Sequence, residues 1–160
     1  RRGKEPSTAL KMVLGLFLLG VGFLFMLAGG RRADGGVLVS PIWLTIAYLF
    51  HTWGELCLSP VGLSYVTKLA PARFASLLMG AWFLANAAAN KIAGAIAGLT
   101  PLPGEARPAE MGGLGGFLQQ VSSTYAGFFS IFVVSSFAAA ALMLLFVPLL
   151  KRLAHGADAA

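Results

Sequence analysis

Four apolar runs dominate the chain, at 12–30, 42–66, 74–98 and 125–150, set apart by short polar or glycine- and proline-rich segments. Each reaches the roughly 20 residues that a helix needs to cross the hydrocarbon core of a bilayer. A single segment in lipid has to satisfy its backbone hydrogen bonds internally, so each run is predicted to be a helix. The stretch 99–124 holds three prolines and several glycines and is predicted to be one long outer loop. The expected fold class is an all-α membrane protein with four transmembrane helices.

Composition agrees. The 160 residues are 58% hydrophobic and only 11% charged, with a mean hydropathy of +0.80. A soluble domain carries about 25% charged residues, so there are too few charges here to clothe a water-facing surface. The first run is too long for a signal-peptide core and ends in Gly29-Gly30-Arg31-Arg32 without a small-residue cleavage site, so it is read as a span. The net charge of +6 does not signal nucleic acid, because the basic residues flank the apolar runs and form no stripe. Arg1, Arg2, Lys4, Lys11, Lys68, Arg73, Lys151 and Arg152 fall on one side of a four-span topology, and Arg31, Arg32 and Arg107 on the other. This excess places both termini in the cytoplasm of a multi-pass cell-membrane protein. The lone cysteine, Cys57, excludes an intrachain disulfide.

The second run carries the candidate chemistry. A helix from Pro41 to Lys68 is roughly 40 Å long, and Glu55 then falls near the bilayer midplane. A carboxylate at that depth costs a few kcal/mol unless it faces a cavity or a partner, and this marks a functional site. Tyr48, Thr52, Glu55, Ser59 and Gly62 recur at i, i+4, i+7, i+11 and i+14, so they share one face of the helix. Such a polar stripe suits a cavity wall, and a packed interhelical polar seam is the alternative. Pro60 removes one backbone hydrogen bond, and with Gly62 two residues on it makes a candidate bend or gate. His51 is one position off the stripe and reads as a packed interface residue.

Trp82, Asn86 and Asn90 of the third run are spaced by four and also share a face. Asparagine amides in lipid have to find partners, and a tryptophan far from the interfacial belt can line a pocket or simply pack. Lys91 reads as an anchor that snorkels to the membrane edge. The first run has no polar group, but Gly15, Gly20 and Gly22 permit close helix approach. No histidines, cysteines or carboxylates have metal-ligand spacing. The glycines at 112–116 lack the lysine and the spacing of a phosphate loop. No metal, no cofactor and no catalytic set is expected, and the chain is not read as an enzyme.

The run Gly54-Glu55-Leu56-Cys57-Leu58-Ser59-Pro60-Val61-Gly62-Leu63-Ser64-Tyr65-Val66-Thr67-Lys68-Leu69-Ala70-Pro71 resembles a signature of the proton-dependent oligopeptide transporters of the major facilitator superfamily. Met79-Gly80-Ala81-Trp82-Phe83-Leu84 and Asn90-Lys91-Ile92-Ala93-Gly94 look like the family's following helix. The resemblance implies part of a C-terminal six-helix bundle, helices nine to twelve of a longer transporter whose central cavity lies between two bundles.

It further implies that Glu55 contacts the amino terminus of a di- or tripeptide and takes part in proton coupling, and that Trp82 lines the pocket. Ser59, one turn from the glutamate, and Asn86, one turn from the tryptophan, join the candidate substrate site on their helical spacing. The first-helix proton-coupling motif of the family lies outside this chain, so the expected partners are the missing N-terminal helices, the lipid bilayer, peptides and protons. Two other readings stay open. One is a related transporter of another small solute. The other is a stand-alone four-helix membrane protein of structural role, which an upstream reading frame encoding further spans would end.

Overall fold

The computed structural model describes residues 7–98 and 113–153. Helix α1 spans Thr8–Asp34, α2 Ile42–Leu69, α3 Ala75–Ala97, α4 Gly113–Val121 and α5 Tyr125–Leu153, and the described residues form no strand. The four long helices fall on the four apolar runs. Residues 99–112 of the expected loop, the N-terminal lead-in and the tail beyond 153 lie outside the described residues.

Local sequence sets the helix ends. Arg31 and Arg32 occupy the last turn of α1, where cations offset the helix dipole. Gly36 then takes φ +75, a conformation that side chains with a Cβ rarely adopt, and its N–H bonds Ala33 O at 2.9 Å to stop the helix. Pro41 leads into α2, with the Ile42 N–H directed at Ser40 Oγ, 3.4 Å away. Helix α2 runs unbroken through Pro60. A 3-10 turn, Ala72–Phe74, follows Pro71 and turns the chain into α3, with Phe74 N bonded to Pro71 O at 2.8 Å. So short a connection makes α2 and α3 antiparallel neighbours.

One expectation needs correction. Residues 113–121, expected to be loop, form α4. The glycines of 112–116 masked an apolar recurrence at 114, 117, 118 and 121, which is the i, i+3, i+4, i+7 pattern of a helix face.

Helix α1 is the hub and packs along both α2 and α5, whereas α3 rests chiefly on α2. Glycines make the close approach possible. A Cβ at Gly15 would lie 2.8 Å from the carbonyl oxygen of Gly54, and one at Gly54 would lie 2.8 Å from the carbonyl oxygen of Gly15. Gly22 makes room for the His51 ring, and Gly20 for Phe137, which a Cβ would meet at 3.1 Å. Without a hydrophobic driving force in lipid, such small-residue seams and the van der Waals contact they permit hold helices together. Aromatic rings fill the rest: Phe23 stacks on Phe132 of α5 at 5.0 Å and Phe25 on Phe50 of α2 at 5.4 Å.

Few residues are buried. The described apolar core is Ala9, Ala47, Phe128, Ala140 and Val147, while large side chains such as Leu56, Phe83, Leu84 and Leu145 stand exposed. An apolar exterior of this extent fits lipid and further helices. Helices α1 and α5 are long and apolar enough to cross a membrane, each with a window hydropathy of 2.4. Helices α2 and α3 have the length, 28 and 23 residues. Their hydropathy is diluted by the polar groups that make them interesting: His51, Glu55, Asn86, Asn90 and Lys91.

Candidate functional site

Helix α2 presents two neighbouring faces. Ala47, His51, Gly54 and Leu58, at i, i+4, i+7 and i+11, form the side that meets α1 through Gly15, Leu18 and Gly22. Beside it runs the polar stripe. Tyr48 is 62% exposed, and Thr52, Glu55 and Ser59 are exposed as well. Glu55 is therefore outside the tight seam, although its chain neighbour Gly54 is buried within it. The Thr52 hydroxyl donates to Tyr48 O at 2.8 Å, so it is satisfied within its own helix.

Gly62, the last member of the stripe, is buried under the indole of Trp82, and a Cβ there would lie 2.6 Å from the ring. Seven residues separate Glu55 from Gly62, a displacement of only about 20° around the helix. The side of α2 that carries Glu55 is thus the side on which α3 stands. Beyond the Gly62–Trp82 contact the polar groups of both helices, Thr52, Glu55 and Ser59 on α2 and Asn86 and Asn90 on α3, are exposed.

Of the candidate residues, Gly62 and Trp82 touch. Glu55 and Ser59 lie exposed on α2, and Asn86 lies exposed on α3. Pro60 is exposed, one turn from Leu56, whose carbonyl it leaves without its helical donor. Asn90 belongs to the third-run stripe and is exposed on α3. His51 packs as a seam residue: its ring centroid is 4.6 Å from that of Phe23, and Nε2 is buried without a hydrogen-bond partner among the described residues.

The chemistry on offer is that of a wall, not of a closed chamber. No residue of α3 is buried, so both stripes open away from α1. Two apolar hollows, of about 530 and 330 Å³, lie elsewhere, along α1 and α5 and beneath the α1–α2 connection, and neither is lined by Glu55 or Trp82. No group of three or more His, Cys, Asp or Glu among the described residues could hold a metal ion. What α2 and α3 offer a ligand is one carboxylate with hydroxyls on α2, and exposed amides with an indole face on α3.

The sequence matches the model of the POT family over residues 1–112. It is 48% identical over 96 residues to an uncharacterized transporter, YclF, of Bacillus subtilis, covering 60% of this chain and 19% of that protein. It is 34% identical over 152 residues to dipeptide and tripeptide permease B of Salmonella typhimurium, covering 95% of this chain and 29% of the permease. The fold is similar to a crystal structure of a mutant peptide transporter POT in complex with alafosfalin, with a TM-score of 0.70, 33% identity, and coverage of 95% of this chain and 27% of the other. The chain thus spans between a fifth and a third of the length of these relatives, which are transporters and not enzymes.

Proposed function

Because the chain belongs to the POT family, we propose that it supplies one wall of the substrate cavity in a proton-coupled di- and tripeptide symporter, as the C-terminal third of that protein. The supporting observation is the shared face of α2. Glu55 is exposed there, in the middle of a membrane helix, on the side where Trp82 of α3 rests on Gly62. The naming of one relative as a dipeptide and tripeptide permease, and the binding of alafosfalin by a protein of similar fold, support a peptide-like substrate.

A short peptide brings an ammonium, a carboxylate and a side chain of variable size. Glu55 pairs with the ammonium through a charge-assisted hydrogen bond. Trp82 gives an apolar surface with one N–H donor, which accepts side chains of different shapes. Ser59 and Asn86 provide hydrogen bonds to the peptide backbone. The cation for the substrate carboxylate comes from helices outside this chain. Proton and ammonium compete for the same carboxylate, and this couples the two fluxes. Pro60 and Gly62, next to the Trp82 contact, let the end of α2 bend as the cavity opens and closes. With the basic residues at the start of α1, in the α2–α3 turn and at the end of α5, both ends of this chain face the cytoplasm.

Glu55→Gln in the full-length transporter tests the coupling role. Uptake driven by an imposed proton gradient is expected to disappear, while competition by dialanine identifies the substrate class. Gradient-driven uptake with unchanged pH dependence in the variant refutes the role of Glu55. Failure of dialanine to compete at millimolar levels points instead to another small solute.

A further inference from the structure

His51 stands at the border between the α1 seam and the polar stripe of α2, and the transport reading gives it no part. Around the helix it lies about 60° from Gly54 and, on its other side, about 40° from Glu55. Its ring is fixed from the α1 side. It fills the notch left by Gly22, where a Cβ would collide with the ring and would lie 3.0 Å from the carbonyl oxygen of Ala47. It packs on Phe23, with ring centroids 4.6 Å apart. One ring nitrogen is hydrogen-bonded to the backbone of Leu19, and Nε2 is buried without a partner among the described residues. These partners all belong to α1 or to α2 itself, so the contact is complete within this chain.

Glu55 follows His51 at i+4, the spacing at which side chains on a helix surface meet. An imidazole free of the notch would reach that carboxylate and occupy it, as the ammonium of a substrate does. Seated in the notch, it does not. No hydrogen bond or ion pair joins the two residues, and Glu55 is exposed. The same ring keys α2 to α1 within a turn of Gly54, which crosses Gly15 too closely for a Cβ on either residue. A key placed there sets which way position 55 is turned, because neighbouring positions on a helix are held in fixed angular relation.

We propose that His51 is a positioning residue for Glu55. Seated in the Gly22 notch, its ring fixes the turn of α2 that carries the carboxylate and keeps the imidazole away from it, which leaves Glu55 free for a cationic group. The effect on uptake rests on the reading of Glu55 as the ammonium-binding group, whereas the effect on the direction of position 55 does not.

Two measurements on the full-length transporter in proteoliposomes test it. The first uses Glu55→Cys with Cys57→Ser and follows alkylation at position 55 by a water-soluble maleimide, read by peptide mass spectrometry. Gly22→Ala drives the ring out of the notch and toward position 55, so alkylation should slow. Gly22→Ala combined with His51→Ala should restore it. The second keeps Glu55 and measures dialanine uptake. KM should rise about tenfold in Gly22→Ala, the worth of one hydrogen bond to a charged group, and return in the double variant. Equal alkylation rates in all three backgrounds, or a slow rate that the double variant does not restore, overturns the proposal. Slowed and restored alkylation with KM unmoved upholds the positioning and counts instead against Glu55 as the ammonium site. A lower maximal uptake with KM and alkylation unmoved is packing alone and overturns it. Should Gly22→Ala not fold, His51→Trp, too large for the notch, should slow alkylation in the same way and decides alone.

Discussion

Asp34, at the end of α1, caps the start of α5: its Oδ1 accepts a hydrogen bond from the N–H of Tyr125 and its Oδ2 one from the N–H of Ala126, both at 2.8 Å. The Thr124 hydroxyl accepts from Gly127 N at 3.0 Å, and Phe128 N begins the helical ladder on Thr124 O at 2.9 Å. The first N–H groups of a helix have no partner within it. Here side chains satisfy all of those that precede the ladder, and two of the bonds reach a residue 91 and 92 positions away. The carboxylate also offsets the positive end of the α5 dipole.

Asp34→Ala removes both acceptors and should destabilise the α1–α5 pair by about 1–2 kcal/mol, the usual cost of a lost N-cap. Asp34→Asn keeps one acceptor and should lose less. Thermal unfolding of the purified full-length transporter measures the order wild type, Asn, Ala. An Ala variant as stable as the wild type would show that the clasp carries no weight.

The Gly15–Gly54 crossing sets the distance between α1 and α2. Gly15→Leu drives a side chain into the Gly54 carbonyl and Leu58, where a Cβ alone already comes within 2.8 Å and 2.7 Å. Overpacking of that kind costs about 1–3 kcal/mol or more. A Cβ at Gly80 of α3 would meet nothing within 4 Å, so Gly80→Leu is the matched control for folding. Detergent-solubilised, fluorescently tagged protein should give a reduced monodisperse peak for Gly15→Leu and a retained one for Gly80→Leu.

How much of this was legible in the sequence follows from the range of each signal. The four long helices were readable because lipid imposes length and apolarity locally. The stripe from Tyr48 to Gly62 was readable because 3.6-residue periodicity lies within one element. The bond of Asp34 to α5 depends on a partner far along the chain. The contact of Trp82 with Gly62 needs the register of two helices, which no single-helix wheel contains. Helix α4 was hidden because glycine propensity outweighed a short apolar pattern, the common way a local bias misleads.

His51 separates packing from proton chemistry. Its ring fills the space above Gly22 and packs against Phe23, with Nε2 buried and unpartnered among the described residues. His51→Phe keeps a ring but removes both the unpartnered nitrogen and the one bonded to the Leu19 backbone, so it should cost at most about 1–3 kcal/mol. The pH profile of uptake should also stay that of the wild type if, as proposed, Glu55 on the adjoining face is the coupling carboxylate. His51→Ala empties the ring site and should cost about 2–4 kcal/mol, in the range of large core truncations. A shifted pH profile in His51→Phe with normal stability would reassign part of the coupling to this histidine.

The Gly62–Trp82 contact and the polar stripe of α3 predict a graded effect on affinity. Gly62→Val displaces the indole of Trp82, which sits on the glycine with no room for a Cβ. Trp82→Ala removes the same surface directly, so both should raise KM for hydrophobic dipeptides more than for dialanine. Asn90→Leu removes an exposed amide of the α3 stripe, and on the proposed function it should raise KM while thermal stability stays unchanged. A matched substitution at Ala87, also exposed on α3 but off the stripe, should leave KM unchanged. If Ala87→Leu and Asn90→Leu raise KM equally, the effect comes from helix bulk and the α3 stripe has no part in binding.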